Sequence, residues 1–233
     1  MARDAQALAD ELPDTPEQVE TRWLLCREGS RLFSDGGGAV VVADGLLSAA
    51  AVRDPSPQLV HRALAETPVG TDLIVQAAVG AQLGEALEGW RLEHATVHLL
   101  ERPAEPEPVE VPGVIVTSKP GAELLTELPE EERTYAQGAW ALSARRVDGG
   151  IVCCCQASAW SETLWDVGID TWPGHRRRGH ATACFQALAA HMAGEGRQPV
   201  WAAADGNAAS LGMARELGFV PTGRIAVLTP PST

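Results

Sequence analysis

The sequence predicts an α/β protein, a mixed twisted sheet flanked by helices. Three observations carry that expectation. Apolar strand-like runs alternate with helix-periodic runs along the chain. A Pro- and Glu-rich stretch, ERPAEPEPVEVP from Glu101 to Pro112, suits neither a helix interior nor a central strand and divides the chain. A weak repeat at a spacing of 129 residues sets TDLIVQ (71–76) on VWAAAD (200–205), Gly89-Trp90 on Gly218-Phe219 and Ala95–Leu99 on Arg224–Leu228.

Taken in order, Asp14-Thr15-Pro16-Glu17 starts a helix, with a capping oxygen, Pro in the first turn and an acid at the positive end. That helix is expected to run through Trp23 and Leu24 towards Leu32-Phe33. SDGGG at 34–38 turns into a strand over 39–43; a strand, not a helix, follows these glycines, so they make a tight turn and not a phosphate cradle. A helix near 57–66, a strand near 72–76, a helix near 80–88 and a strand near 94–100 complete the first half. Beyond the linker, strands are expected at 114–117, 139–146, 151–158 and 164–171. A helix at 181–193, a strand at 200–204, a helix at 208–217 and a strand at 224–228 follow. The domains are therefore 1–103, a linker at 104–112, and 113–233.

Composition narrows the function. The 233 residues include 18 basic and 31 acidic ones, a formal net charge of -13. Such a surplus opposes phosphate backbones and anionic lipid, so neither a nucleic-acid nor a membrane partner is expected. The acidic residues of MARDAQALADELPD interrupt the apolar core a secretion signal needs, and a cytoplasmic location is expected. Cys26, Cys153, Cys154, Cys155 and Cys184 lack CxxC spacing. Adjacent strand residues face opposite ways, so Cys153 to Cys155 cannot converge on one ion. They read as small apolar residues of a buried strand, and no metal is expected.

Chemistry concentrates in LWDVGIDTWPGHRRRGHA, 164–181. An alternating strand enters a Pro-Gly turn, then a basic glycine-containing loop, then an apolar-periodic helix. Backbone N–H groups entering a helix N-terminus form an anion site. Gly179 and Ala181 leave room for a phosphate, and Arg176, Arg177 and Arg178 add positive charge in an acidic chain. Gly174 and Gly179 have Walker-A spacing, but His180-Ala181 replaces the required Lys and Ser/Thr. No GxGxxG is present in this turn. Ser210 cannot head a Ser–acid–His triad in the hydrolase order, because no His lies beyond His191.

The remaining pattern, R-x-x-G-x-A at 176–181, resembles the acetyl-CoA loop of the GNAT N-acetyltransferase superfamily, Q/R-x-x-G-x-G/A. Asn207, the chain's only asparagine, with Ser210 and Leu217-Gly218-Phe219, resembles that family's N-x-x-A/S…L-G-F. The wording over 113–228 is similar to a bacterial tandem subgroup that includes antibiotic self-resistance acetyltransferases. The resemblance implies an acyl-CoA N-acyltransferase fold preceded by a degenerate GNAT-like half without the loop, since Leu47–Val52, which the repeat sets opposite 176–181, has neither glycine nor charge.

It further implies acetyl-CoA as co-substrate and a small-molecule amine as acceptor, cationic if the acidic surface is a guide, with acetyl transfer by direct attack on the thioester. A homodimer is compatible with the sequence. Backbone groups of Ile169, Asp170 and Thr171 would hold pantetheine. Arg176, Arg177, Arg178, Gly179, His180, Ala181 and Thr182 would hold the phosphates, and Asn207 and Ser210 would line the cofactor arm. Asp166 is the first candidate base, with Asp170 and Glu162 in reserve. The family's usual Tyr acid is replaced by Ala214, which leaves the departing thiolate to Ser210, to water or to a group elsewhere. That departure also motivates an alternative, a non-catalytic acyl-CoA-binding or sensing protein.

Overall fold

The computed structural model describes residues 2–102 and 111–231. Most of the predicted linker, residues 103–110, therefore lies outside the described residues. Two compact units form. The first comprises the chain up to His98 together with Ala202–Met213 and Pro221–Thr233; the second comprises Leu99–Trp201 and Ala214–Val220. This division crosses the sequence-based boundary, because two C-terminal segments group with the first half.

In the first unit, α1 (Ala2–Glu11) precedes a 3-10 turn (Pro16–Gln18) and α2 (Val19–Cys26). Then follow β1 (Ser30–Ser34), β2 (Gly38–Ala43), β3 (Ser48–Arg53), α3 (Pro57–Leu64), β4 (Asp72–Gln76), α4 (Ala77–Ala86) and β5 (Arg91–Leu100). The helix expected to reach Leu32-Phe33 ends at Cys26, and Leu32-Phe33 lie in β1 instead. Val40 to Val42 offer β1 a β-branched antiparallel partner, with Leu32 opposite Val41 and Phe33 opposite Val40, and this pairing outweighs the helical spacing. The strand β3 and helix α1 were not anticipated; the alanine-rich 49–51 of β3 lacks the large residues that mark strands.

The second unit holds β6 (Val114–Ser118), α5 (Ala122–Thr126), α6 (Glu130–Gln137), β7 (Ala141–Val147), β8 (Gly150–Trp160), β9 (Leu164–Thr171), α7 (His180–Gly194) and the start of β10 (Gln198–Ala204). Helix α8 (Ala208–Glu216) and strand β11 (Phe219–Thr229) close the chain. Strand order is β1-β2-β3-β4-β11-β5 in the first unit and β10-β9-β8-β7-β6 in the second. Both units repeat one pattern: an antiparallel pair (β2/β3, β8/β9), then a parallel neighbour (β3/β4, β9/β10). At the 129-residue spacing Asp72 falls on Trp201 within β10, and Leu100, the end of β5, falls on Thr229, the end of β11.

The last strand completes the first unit: Ile225 to Leu228 of β11 pair antiparallel with Gln76 to Leu73 of β4. Ala226 and Leu228 join Val40, Val42, Leu59, Val60, Leu73 and Leu83 in its core. In the second unit Cys153, Cys154 and Cys155 are buried in β8, as expected of small strand residues, and all are free thiols. Phe185 of α7 stacks on Trp165 of β9 and meets Trp201 and Phe219 edge-on or tilted, with centroids 5.4–6.4 Å apart. This aromatic packing seats α7 against the sheet and so fixes the loop that precedes it.

Candidate functional site

Strand β9 carries the site. Its parallel ladder with β10 runs from Leu164/Gln198 to Asp166/Val200 and ends there. The antiparallel ladder with β8 continues to Thr171/Cys153. Past Asp166, one backbone edge of β9 is therefore released while the other stays anchored. Ile169, Asp170 and Thr171 lie on this released stretch, where an extended amide-containing chain could pair as an added strand.

The chain then turns through Gly174 (φ 86) and Arg177 (φ 62) to Gly179, the N-cap of α7, at φ 77. Gly179 is required by that left-handed backbone; a Cβ there would meet open space. No side chain caps α7, which begins at His180, one residue earlier than expected. Its first intrahelical bond is from Ala183 N to Gly179 O, 3.1 Å. The amides of His180, Ala181 and Thr182 thus have no acceptor within the helix, and they point out from its positive end. Arg177 and Arg178 are exposed beside them. Arg176 folds back, with Nε donating to Thr171 O at 2.8 Å and a guanidinium nitrogen 3.6 Å from Asp170. Burial, then the positive charge of Arg145, holds the His180 pKa below its ordinary value, so this imidazole is a neutral group at the loop.

The equivalent place in the first unit is closed. Residues 54–56 alone join β3 to α3, against 172–179 between β9 and α7. Pro55 and Pro57 remove two N–H donors. Asp35 sits at the start of α3 instead, accepting from Ser56 N at 3.1 Å and from Gly37 N and Gly38 N at 2.9 Å each. These bonds, led by that of the Ser56 hydroxyl, depress the Asp35 pKa far below the carboxylate range. Ser56 Oγ caps α3 by accepting from Leu59 N at 3.2 Å, and the Asp35 carboxylate stands just ahead of the helix at the Ser56 amide, so this helix start is satisfied from within the chain. The residues opposite 176–181 are accordingly those of the β3–α3 connection and not Leu47–Val52, which belong to β3 and the turn before it.

On the face of β9 away from α7, strand alternation aligns Asp166, Gly168 and Asp170. Asp166 is partly reachable by solvent yet closely surrounded by protein. Burial pushes its pKa up to about 6, although Ser158 Oγ donates to it at 2.8 Å. Gln156 and Cys154 on β8 stand opposite Gly168 and Asp170. The Glu132 carboxylate of α6 lies 3.9 Å from Cys154 Sγ, and burial with the neighbouring Asp170 raises its pKa. Glu132, Gln156 and Ser158 were not picked out from sequence. Gln156 and Ser158 were detectable as polar residues alternating through an otherwise apolar strand; Glu132, one of three consecutive glutamates, carries no such mark. Glu162 lies exposed in the β8–β9 turn.

Asp166, Ile169, Asp170, Thr171 and Arg176 through Thr182 are thus brought together in the second unit. Asn207 and Ser210 fall in the first unit, where Asn207 caps α8: its Oδ1 accepts from Ser210 N at 3.1 Å. Ala214 is fully buried. Among the described residues no group of His, Cys, Asp and Glu is arranged to hold a metal ion, and no helix is long and apolar enough to cross a membrane.

Residues 138–227 match the family described as GNAT acetyltransferase, a span that contains β9, the basic loop and α7. No curated protein matches the chain. Solved structures share its fold. A GCN5-related N-acetyltransferase-like protein from Streptococcus suis is 15% identical, with 98% of this chain and 97% of that one covered and a TM-score of 0.68. A GCN5-related N-acetyltransferase from Kribbella flavida is 18% identical, covering 100% and 96%, with a TM-score of 0.62. A tandem GNAT protein from the clavulanic acid biosynthesis pathway is 15% identical, covering 99% and 94%, with a TM-score of 0.58.

Proposed function

We propose that the chain is an acetyl-CoA-dependent N-acetyltransferase whose acceptor is the amine of a small molecule. The observation that carries the reading is the sequence of features along one strand: the edge of β9 released after Asp166, the left-handed Gly179, and the uncapped start of α7 beside Arg177 and Arg178. The residues suit such a co-substrate. The released edge at Ile169 to Thr171 offers main-chain partners to pantetheine amides. The amides of His180, Ala181 and Thr182 suit a pyrophosphate, with Arg177 and Arg178 free to pair with phosphate oxygens. Arg176, tied to Thr171 and Asp170, braces the end of β9. Acetyl-CoA, when bound, supplies the activated acyl group as a thioester.

Asp166 is assigned as the base. Ionised above about pH 6, it takes the proton of the acceptor nitrogen as the new nitrogen–carbon bond forms and the carbon–sulfur bond breaks. Ser158 holds the carboxylate in place through Oδ2. The departing sulfur leaves as a thiolate and takes its proton from water. Alignment of amine and thioester supplies much of the rate.

Buried Ala214, where the resemblance expects Tyr, favours one other reading, a protein that binds acyl-CoA without turning it over. Thiol release from acetyl-CoA across a panel of primary amines separates the two. Amine-dependent release is the expected result, and tight acetyl-CoA binding without it would leave only the binding role.

A further inference from the structure

The face of β8 and β9 that carries Asp166 is a row of hydrogen-bond acceptors with few donors of its own. Gln156 is 5% exposed, and its Oε1 is buried without a hydrogen-bond partner. An orphan amide oxygen of this kind is costly to leave buried unless a ligand supplies a donor. Its direction is set by Gly168: the Gln156 Cγ and Nε2 lie 2.9 and 3.1 Å from where a Cβ of residue 168 would stand, so the amide lies over the glycine, between Asp166 and Asp170. Beyond it, the Glu132 carboxyl meets the Asp170 carboxyl, acid against acid, and the Cys154 thiol, kept protonated by burial, offers it a weak donor. Asp170 Oδ1 is taken by Thr171 N at 2.6 Å and approached by Arg176.

We infer that this row binds a second ammonium group of the acceptor, so that the acceptor is a small diamine. Its near amine meets Asp166, and its far ammonium donates to Gln156 Oε1 and the Glu132 carboxyl. Positions two and four residues along a strand lie about 7–13 Å apart, which sets the separation of the two nitrogens. A cation beside Glu132 favours its ionised form over the neutral one that burial and Asp170 favour, so binding draws a proton off Glu132. The inference rests on the proposed acetyl-CoA site, and its test keeps the two apart.

Calorimetry with acetyl-CoA alone is the first arm. Thiol-release kinetics with cadaverine and with pentylamine, on the full chain and on Glu132→Gln and Gln156→Leu proteins, are the second. The expected result is acetyl-CoA binding, a kcat/KM for cadaverine at least tenfold above that for pentylamine, and collapse of this preference towards unity in Glu132→Gln. Should Gln156→Leu fail to fold, Glu132→Gln and the buffer-dependent proton release on cadaverine binding decide alone. Acetyl-CoA binding with equal use of the two amines, or a preference that survives Glu132→Gln, overturns the diamine and leaves the cofactor site standing. No acetyl-CoA binding overturns both.

Discussion

Asp166 and Asp35 show how one residue type is driven in opposite directions by its surroundings. Asp166 is desolvated and has a single side-chain donor, so its pKa rises from 3.8 to about 6; Asp35 is exposed but collects three backbone N–H groups and a hydroxyl, so its pKa falls. The signs of the pH effects follow. Thiol release should rise with pH through about 6, and Asp166→Asn should cost on the order of 10²–10⁴ in kcat while removing that limb from the pH–rate profile. Because its raised pKa sets ionisation against folding, the same variant should be more stable than the parent by about 1–2 kcal/mol at pH 7, read in denaturant melts. The depressed pKa of Asp35 has the reverse consequence. Its contribution is present above pH 3.8 and lost as pH falls below, so Asp35→Asn should lower the melting temperature at pH 7 and narrow the difference from the parent in stronger acid.

At the scale of elements, the β9–loop–α7 unit was legible because its chemistry is local. Alternation in LWDVGIDT, glycines where the backbone turns left-handed and consecutive arginines all lie within one short stretch. The partners on β8 and α6 were not legible, since strand register and helix placement bring Gln156, Ser158 and Glu132 to Asp166 and Asp170 from distant positions. The closed counterpart in the first unit was only half visible. Absence of a glycine loop could be read from sequence, but the Asp35 carboxylate at the start of α3 could not, because it arrives from the β1–β2 turn. Gly179→Ala should cost about 1–2 kcal/mol through its positive φ and weaken acetyl-CoA by distorting the amide array, measured by calorimetry and thermal melts. Arg177 and Arg178 changed together to Ala should weaken acetyl-CoA about ten- to hundredfold and flatten the salt dependence of binding.

For the whole molecule, repetition does not mean two self-contained halves. The spacing of 129 residues foresaw matching strand–helix–strand segments, yet β11 pairs with β4, and Ala226 and Leu228 complete the first unit's core. No local pattern specifies which of two similar strands fills a given slot; that choice is made by the packing of the complete chain. A protein ending at Val220 should therefore lose the cooperative unfolding transition of the first unit, seen by circular dichroism, although residues 164–182 remain. Acyl-CoA binding along the released edge of β9 and at the start of α7 is read out by hydrogen exchange on the full chain with and without acetyl-CoA. Protection confined to the amides of 167–171 and 178–182, with none gained at 53–59, is the predicted result. Unchanged exchange over 167–182, or protection at the start of α3 instead, would contradict it.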